Sequence, residues 1–246
     1  MRNLVIILGD QLDRESSAFD GFSPAEEMFW MAEVAEESTH VPSHKARTAL
    51  FLSAMRHFRD ALPGECLYTT LDDPRSTQTL AGELDRTVRR MKPQKLIVTQ
   101  PGDWRVFKKL RACAERLGVE LEIREDRHFY CPLEWFRHWA EGRKQMRLEF
   151  FYREMRRMHG VLLDDAGEPV GGRWNFDAEN RQSFGKQGPG FRAAPVAFEP
   201  DRITHKVLEL VAERFAANPG SLEHFDWPVT AEQARVALDD FIEHRL

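Results

Sequence analysis

The chain opens on an uninterrupted aliphatic segment, Leu4–Leu8, that is followed at once by Gly9, Asp10 and Gln11. An aliphatic run with β-branched residues and no polar alternation predicts a strand that is buried on both faces, in the middle of a parallel sheet. Ligands of open α/β sheets bind at the carboxyl ends of such strands. The turn therefore predicts either a ligand site, with Asp10 and Gln11 as hydrogen-bonding groups, or a tight polar turn without a ligand.

Four further apolar segments continue this pattern, at residues 28–34, 66–71, 95–99 and 119–123. Segments with helical periodicity follow three of these strands, at 44–62, 76–91 and 104–117. Strands that alternate with helices of this length predict a doubly wound α/β fold with a five-stranded parallel sheet.

Several carboxylates follow the second predicted strand. Glu33 lies at its end, and Glu36 and Glu37 come directly after it. The carboxyl ends of parallel strands share one edge of the sheet, so these groups are expected near Asp10. They can bind a polyol or the edge of a heterocycle there, or they form a solvated acidic loop, as most Asp and Glu side chains do.

The composition limits the classes of function. With 17 Phe and 6 Trp the chain can form a substantial core, and a net charge of −5 does not indicate a nucleic-acid binder as a whole. The three cysteines, Cys66, Cys113 and Cys131, are far apart and do not predict a zinc or iron–sulfur site. Their sparse use, and the lack of a signal peptide or membrane-length apolar run, predict a soluble cytoplasmic protein. The first turn also lacks the G-x-G-x-x-G pattern of hydride-transfer enzymes.

The second half of the chain has a different character. Residues 132–139 and 148–158 predict two successive helices, and between Arg137 and Arg157 seven Lys or Arg stand against three Glu. Interleaved with aromatic residues, these cations can face a phosphate backbone. The alternative is the solvated side of a helix whose aromatic residues pack inward.

A long connector without periodicity follows, because residues 160–200 contain seven glycines and four prolines. Inside it, residues 169–181 are rich in aromatic and amide side chains and predict an ordered strap. Amphipathic helices at 201–216 and 230–246 come last, and the chain stops in mid-helix. We therefore expect an α/β domain (1–135), helices with a connector (136–200) and the start of an incomplete all-α domain (201–246). Apolar stripes with Leu208, Leu238 and Phe241 are expected to be exposed and to favour self-association.

Five segments together resemble the photolyase-related branch of the cryptochrome/photolyase family. They are LVIILGDQL, HKARTALFLSAMRHF, PGDWR, FFYREMRRMHG and GGRWNFDAENR, and the resemblance covers essentially the whole chain. The sequence is most similar to the bacterial (6-4) photolyases that carry an iron–sulfur cluster.

The resemblance implies a Rossmann-like antenna domain that binds 6,7-dimethyl-8-ribityllumazine, an interdomain connector and a large helical domain. In the family, the helical domain holds FAD and a 4Fe-4S cluster, and reduced FAD transfers an electron to damaged DNA. FAD and the cluster are expected only in a C-terminal half that this chain lacks. The chain alone is therefore expected to be inactive as a lyase, whether it is a fragment, a remnant or half of a split protein with a flavin-bearing partner. Its wider role is then DNA repair or blue-light sensing.

The resemblance also assigns site residues, none of them catalytic or metal-binding. The antenna site is implied to contain Gly9, Asp10, Gln11, Glu33, Glu37, His40, His44 and Phe51. The family usually has Tyr-Val-x-His-His-Lys at 40–45, so His40 replaces an aromatic residue and Ser43 replaces a histidine. Arg181 and Lys186 in the connector are expected to contact DNA phosphates. The alternatives are a stand-alone module for a nucleotide or flavin-like ligand without photochemistry, and a folded remnant that binds nothing.

Overall fold

The structure is a computed structural model that describes residues 2–180, 183, 185, 186, 188 and 194–245. The chain has five strands, β1 (Asn3–Ile6), β2 (Glu27–Ala32), β3 (Cys66–Thr69), β4 (Lys95–Thr99) and β5 (Glu120–Arg124), in the described residues. They form one parallel sheet in the order β3-β2-β1-β4-β5. The predicted α/β fold is therefore confirmed, with the first strand at the centre of the sheet.

Four helices follow the strands of the sheet, α1 (Glu36–Thr39), α2 (Lys45–Asp60), α3 (Leu80–Met91) and α4 (Trp104–Leu117). Side-chain caps set where the longer helices begin. Nδ1 of His44 accepts from the Ala46 amide, and the Thr79 and Asp103 side chains cap α3 and α4. The predicted helix from residue 76 therefore begins only at Leu80.

The sheet is covered on both faces, because alternate side chains of each strand point to opposite sides. Val5, Phe29 and Ile97 belong to a cluster with the apolar face of α2. Leu4, Trp30 and Leu96 belong to a second cluster with α3 and α4. Each fully buried side chain of this size contributes about 1.5–3 kcal/mol to folding. The core thereby fixes the strand ends that form the site.

Residues Arg127–Arg192 form a compact unit of their own. It contains α5 (Leu133–Ala140), α6 (Leu148–His159) and α7 (Asp177–Asn180). The ring of Phe151 packs edge-on against Trp139 and Phe136, with centroids 5.1 and 5.6 Å apart. Trp174 lies under the guanidinium groups of three arginines of α6, at 4.7–5.7 Å from the ring centroid.

The other unit joins Met1–Asp126 to Ala193–Leu246. Its last helices are α8 (Arg202–Arg214) and α9 (Ala231–Arg245). Val207, Val211 and Phe215 are buried in the same core cluster as α2, and Leu208 packs against that cluster instead of lying exposed as expected. Helix α8 therefore packs against the α/β layers, whereas α9 has no buried residue among those described. Whether residues 201–245 also begin a further helical domain stays a prediction.

In the described part of the chain, no helix is both long enough and apolar enough to cross a membrane.

Candidate functional site

A cavity of about 220 Å³ opens at the carboxyl ends of the central strands. The first turn contributes Leu8, Gly9 and Asp10, and the segment after β2 contributes Val34 and Glu37. Chain connections leave β1 toward β2 on one side, and the later strands β4 and β5 lie on its other side. Such a reversal of strand order creates a crevice in which ligands of open α/β sheets bind.

Helix α2 supplies the apolar wall of the cavity. Arg47, Phe51 and Met55 are spaced four residues apart, so they lie on one face of the helix, and all three line the cavity. The guanidinium carbon of Arg47 is 5.5 Å from the centroid of the Phe51 ring. This wall combines a partly exposed aromatic ring with a cation at its rim.

Gly9 lets the first turn approach that wall closely. A Cβ built on Gly9 would lie 3.0 Å from Sδ of Met55 and 3.7 Å from Cδ1 of Phe51. The first distance is shorter than an ordinary van der Waals contact. A side chain at this position would therefore occupy space in the cavity.

Asp10 stands at the mouth of the cavity with its side chain open to solvent. The surrounding protein still removes its carboxylate partly from water, and this desolvation, together with the negative charges of Glu37 and Asp103, raises the pKa of Asp10 above its usual value. No other side chain in the described residues is bound to Asp10. Its carboxylate is thus available to accept hydrogen bonds from a ligand.

Glu33 also lines the cavity, but its carboxylate is already engaged. Oε1 and Oε2 accept from Arg56 at 2.7 and 2.8 Å, and they also accept from the Tyr68 hydroxyl at 2.6 Å and the Leu71 amide at 2.8 Å. Burial raises the pKa of the Tyr68 hydroxyl far above its usual value, so Tyr68 stays a donor to Glu33. This carboxylate holds α2 and the residues around β3 beneath the cavity and has little capacity left for a ligand.

Glu37 forms part of the rim through an ion pair with α4. Arg105 donates to both of its carboxylate oxygens, at 2.9 and 2.8 Å, and also to Asp103 at 3.1 Å. Hydrogen bonding to Glu37 raises the pKa of Arg105 further above its normal range. The pair joins the segment after β2 to the segment after β4 across the cavity mouth.

Three other predicted site residues lie outside the cavity lining. The Gln11 side-chain amide donates to the carbonyl oxygens of Thr99 and Gln100, at 3.2 and 3.0 Å, which ties the first turn to β4. His40 is exposed at the end of α1, and His44 caps α2. The structure thus brings together Gly9, Asp10, Glu33, Glu37 and Phe51, and the binding role of all eight residues stays a prediction.

The two predicted DNA contacts lie in the connector. Lys186 is exposed, and Arg181 falls outside the residues that the structure describes. Within the described ranges, no group of three or more His, Cys, Asp or Glu is placed to hold a metal ion.

Two comparisons relate the chain to known proteins. A family model described as "Deoxyribodipyrimidine photo-lyase-related protein" matches residues 5–227. The chain belongs to this family. The resemblance to the photolyase-related branch is therefore confirmed.

One photolyase-related relative is a (6-4) photolyase from Agrobacterium fabrum (strain C58 / ATCC 33970). The two proteins are 42% identical over 246 residues, which cover 99% of this chain and 48% of the relative. The chain thus spans about half the length of the curated relative that it matches.

The sequence analysis did not predict several residues of the cavity and its rim. Met55 and Arg47 are absent from the predicted site residues, although both line the cavity. Their spacing of four residues on either side of Phe51 was the available signal. Arg105, by contrast, pairs with a residue 68 positions away, and no local pattern predicts such a contact.

Proposed function

We propose that this chain is the light-harvesting part of a photolyase-like protein and that its cavity binds a lumazine-type chromophore, 6,7-dimethyl-8-ribityllumazine. The observation that carries the proposal is the composition of the cavity lining. Phe51 and Met55 form an apolar wall, and Asp10 and Glu37 place exposed carboxylates at the mouth.

The chemistry of this lining suits such a ligand. The bicyclic ring of a lumazine can pack on the Phe51 ring and the Met55 thioether. The hydroxyls of the ribityl chain are donors that Asp10 can accept, and Arg47 can donate to ring carbonyl groups. When bound, the chromophore would absorb light and pass its excitation on, while the side chains of this chain bind it, orient it and shield one face from water.

The size of the cavity fits a partly enclosed ligand. Its volume of about 220 Å³ is below the roughly 300–1,000 Å³ of sites that enclose a drug-sized molecule. Asp10 and Glu37 at its rim are exposed, so the mouth is open to solvent. We expect the ring in the cavity and part of the ribityl chain at the mouth.

For the whole protein we propose light-dependent DNA repair or blue-light sensing. Support comes from the family and from the (6-4) photolyase relative, of which the chain matches 48%. FAD and a 4Fe-4S cluster would then be held by residues outside this chain, either in a longer protein or in a flavin-bearing partner.

The proposal is tested by titrating the purified chain with 6,7-dimethyl-8-ribityllumazine and following the fluorescence of the ligand. We expect saturable binding with one site per chain. Riboflavin 5′-phosphate and ATP are titrated in parallel, since tighter binding of either would favour a nucleotide or flavin-like ligand module. Phe51→Ala should weaken lumazine binding about tenfold or more, because it removes most of the aromatic wall.

Glu213→Gln, on the exposed side of α8, is the matched control for substitutions that remove a cavity carboxylate, such as Asp10→Asn and Glu37→Gln. It should bind lumazine like the unaltered chain. A chain that binds no lumazine at saturating concentration, or a Phe51→Ala variant with unchanged affinity, would contradict the proposed site.

A further inference from the structure

The segment that follows α8 holds the loop that forms one wall of the cavity. Ser38 and Ser43, at the two ends of this loop, both line the cavity. The side-chain amide nitrogen of Asn218 donates to the carbonyl oxygen of Ser38 at 3.2 Å and to that of Ser43 at 3.0 Å. One side chain from the distant C-terminal part thus connects both ends of the loop.

Two further contacts continue from the same segment. The Lys45 amide donates to the carbonyl oxygen of Pro219 at 2.9 Å. At the next position, a Cβ built on Gly220 would lie 1.9 Å from Nε2 of His44, and Gly220 has a φ of +92°. Only glycine fits there, because its backbone lies directly against the imidazole that caps α2.

The last turn of α1 holds the first residues of the loop, because the Thr39 hydroxyl donates to the Ala35 carbonyl oxygen at 2.9 Å and the His40 amide donates to that of Glu36 at 3.1 Å. The described contacts that close the rest of the loop are longer. The Ser43 backbone amide lies 3.4 Å from the Ser38 carbonyl oxygen. The Thr48 hydroxyl lies 3.3 Å from the Ser38 hydroxyl. Both distances are long for hydrogen bonds. The shorter bonds that reach the loop and the start of α2 from outside come from Asn218 and Pro219.

The segment is itself anchored in the core. Val211 and Phe215 are buried with the residues of α2. The backbone amide of Asn218 donates to the Phe215 carbonyl oxygen at 2.9 Å. The position of Asn218 is therefore set by the packing of α8. It can hold the loop in one conformation before a ligand arrives.

We propose that Asn218 and Gly220 are positioning residues for the cavity. Residues 218–220, here called the brace, order the loop 38–44 and the start of α2, which carries Arg47 and Phe51. A loop that is ordered before binding loses less conformational entropy when the ligand binds. Ligand affinity therefore depends on how the segment after α8 packs against the loop. No local sequence pattern around the first turn predicts this dependence. The role in affinity rests on the lumazine site proposed above.

The test compares Asn218→Ala and Asn218→Asp with the unaltered chain. Asn218→Asp keeps the shape of the side chain but replaces the donor with an acceptor that faces two carbonyl oxygens. We expect the dissociation constant for lumazine to rise about fivefold to tenfold in Asn218→Ala, as for the loss of one or two hydrogen bonds, and further in Asn218→Asp. Asn175→Ala is the matched control and should leave the constant unchanged, because the Asn175 side chain bonds, among the described residues, only to nearby Asp177.

Amide hydrogen exchange without ligand separates this role from general destabilisation. Exchange should accelerate at the amides of residues 38–45 in both Asn218 variants, while the amides of β1 and β4 keep their protection. Unchanged exchange in the loop overturns the brace whether or not lumazine binds. If the unaltered chain binds lumazine and the Asn218 variants bind it equally well, the brace does not contribute to affinity and the proposed function stands. If the unaltered chain binds none, the proposed function fails, and with it the role of the brace in affinity. Loop exchange alone then decides whether the brace orders the loop.

Discussion

The carboxylate of Asp10 lies at the cavity mouth beside two other acidic side chains, Glu37 and Asp103. Desolvation and these neighbours raise its pKa, so the folded chain binds a proton at Asp10 more tightly than the unfolded chain does. The resulting stabilisation is present at low pH and is lost as the pH rises through the folded pKa. At neutral pH the ionised group is therefore slightly unfavourable for folding.

Asp10→Asn should consequently affect stability and binding in opposite directions. At pH 7 we expect an unchanged or slightly raised free energy of unfolding, by about 0.5 kcal/mol or less, as is usual for an exposed position. Lumazine affinity should fall, because the amide is a weaker acceptor for the ribityl hydroxyls. Thermal melts and fluorescence titrations across a pH series measure both effects.

The pH series provides the internal control. In the unaltered chain, lumazine affinity should decrease as the pH falls through the raised pKa of Asp10, and this dependence should be reduced in Asp10→Asn. Glu37→Gln should lower affinity as well, because it breaks the rim ion pair with Arg105. Unchanged occupancy in both variants would place the ligand elsewhere.

Gly9 offers a test of cavity shape instead of charge. Gly9→Ala places a methyl group 3.0 Å from Sδ of Met55, and we expect about 1–3 kcal/mol of combined strain and lost ligand affinity. Lumazine titration and thermal melts separate the two parts. Adding Met55→Ala should relieve the strain between the two side chains, but it also removes the thioether on which the ring is proposed to pack, so it should not restore full affinity. A Gly9→Ala chain that binds lumazine normally would show that the ligand does not reach the first turn.

Among the elements, α2 is joined to the site by a half-buried arginine, Arg56, which pairs with a buried carboxylate. Arg56 reaches back under the cavity to Glu33, which is 1% exposed. Removing one partner of a buried pair costs about 3–5 kcal/mol, because the other charge remains buried and unpaired. We therefore expect Arg56→Ala to lower the free energy of unfolding by this amount, measured by urea denaturation.

An exposed ion pair serves as the control for this prediction. Arg137 donates to Glu134 one turn earlier in α5, and both side chains are about 70% exposed. Arg137→Ala should change the stability by about 1 kcal/mol or less. Equal effects of the two substitutions would mean that the Glu33 pair does not stabilise the site.

The elements also show which features local sequence carries. Apolar runs and helical periodicity predicted every strand of the sheet, since both depend on burial patterns within a few residues. The same patterns placed Gly9, Asp10, Glu33 and Glu37 at one edge. They did not reveal that Arg56 and Tyr68 occupy the Glu33 carboxylate, because that network joins three elements that are distant in sequence.

At the scale of the whole molecule, the role of the C-terminal helices was the hardest feature to infer. The apolar stripe of α8 reads as unpaired in the sequence, yet Val207 and Val211 are fully buried against the α2 layer. The apolar stripe of an amphipathic helix indicates that the helix packs against another element, but it does not identify that element. The brace could not be predicted for the same reason, because the Asn218 side chain contacts residues that are 175 and 180 positions away in sequence.

Helix α9 keeps an apolar face toward solvent. Leu238, Phe241 and Ile242 are 56%, 47% and 52% exposed, and their spacing of three and four residues places them on one side of the helix. A contiguous apolar surface of this kind favours association with another apolar surface. We therefore expect the isolated chain to self-associate in a concentration-dependent way through α9, as measured by light scattering or sedimentation.

The double substitution Leu238→Glu and Phe241→Glu should abolish that association and leave the melting temperature almost unchanged, because neither side chain is buried. Leu148→Glu, at a 78% exposed leucine at the start of α6, is the matched control and should associate like the unaltered chain. If α9 mediates association, lumazine affinity should not change with the double substitution, since no residue of α9 lines the cavity. A monomer at every concentration of the unaltered chain would contradict the prediction. Association that persists in the double variant would move the contact to another surface.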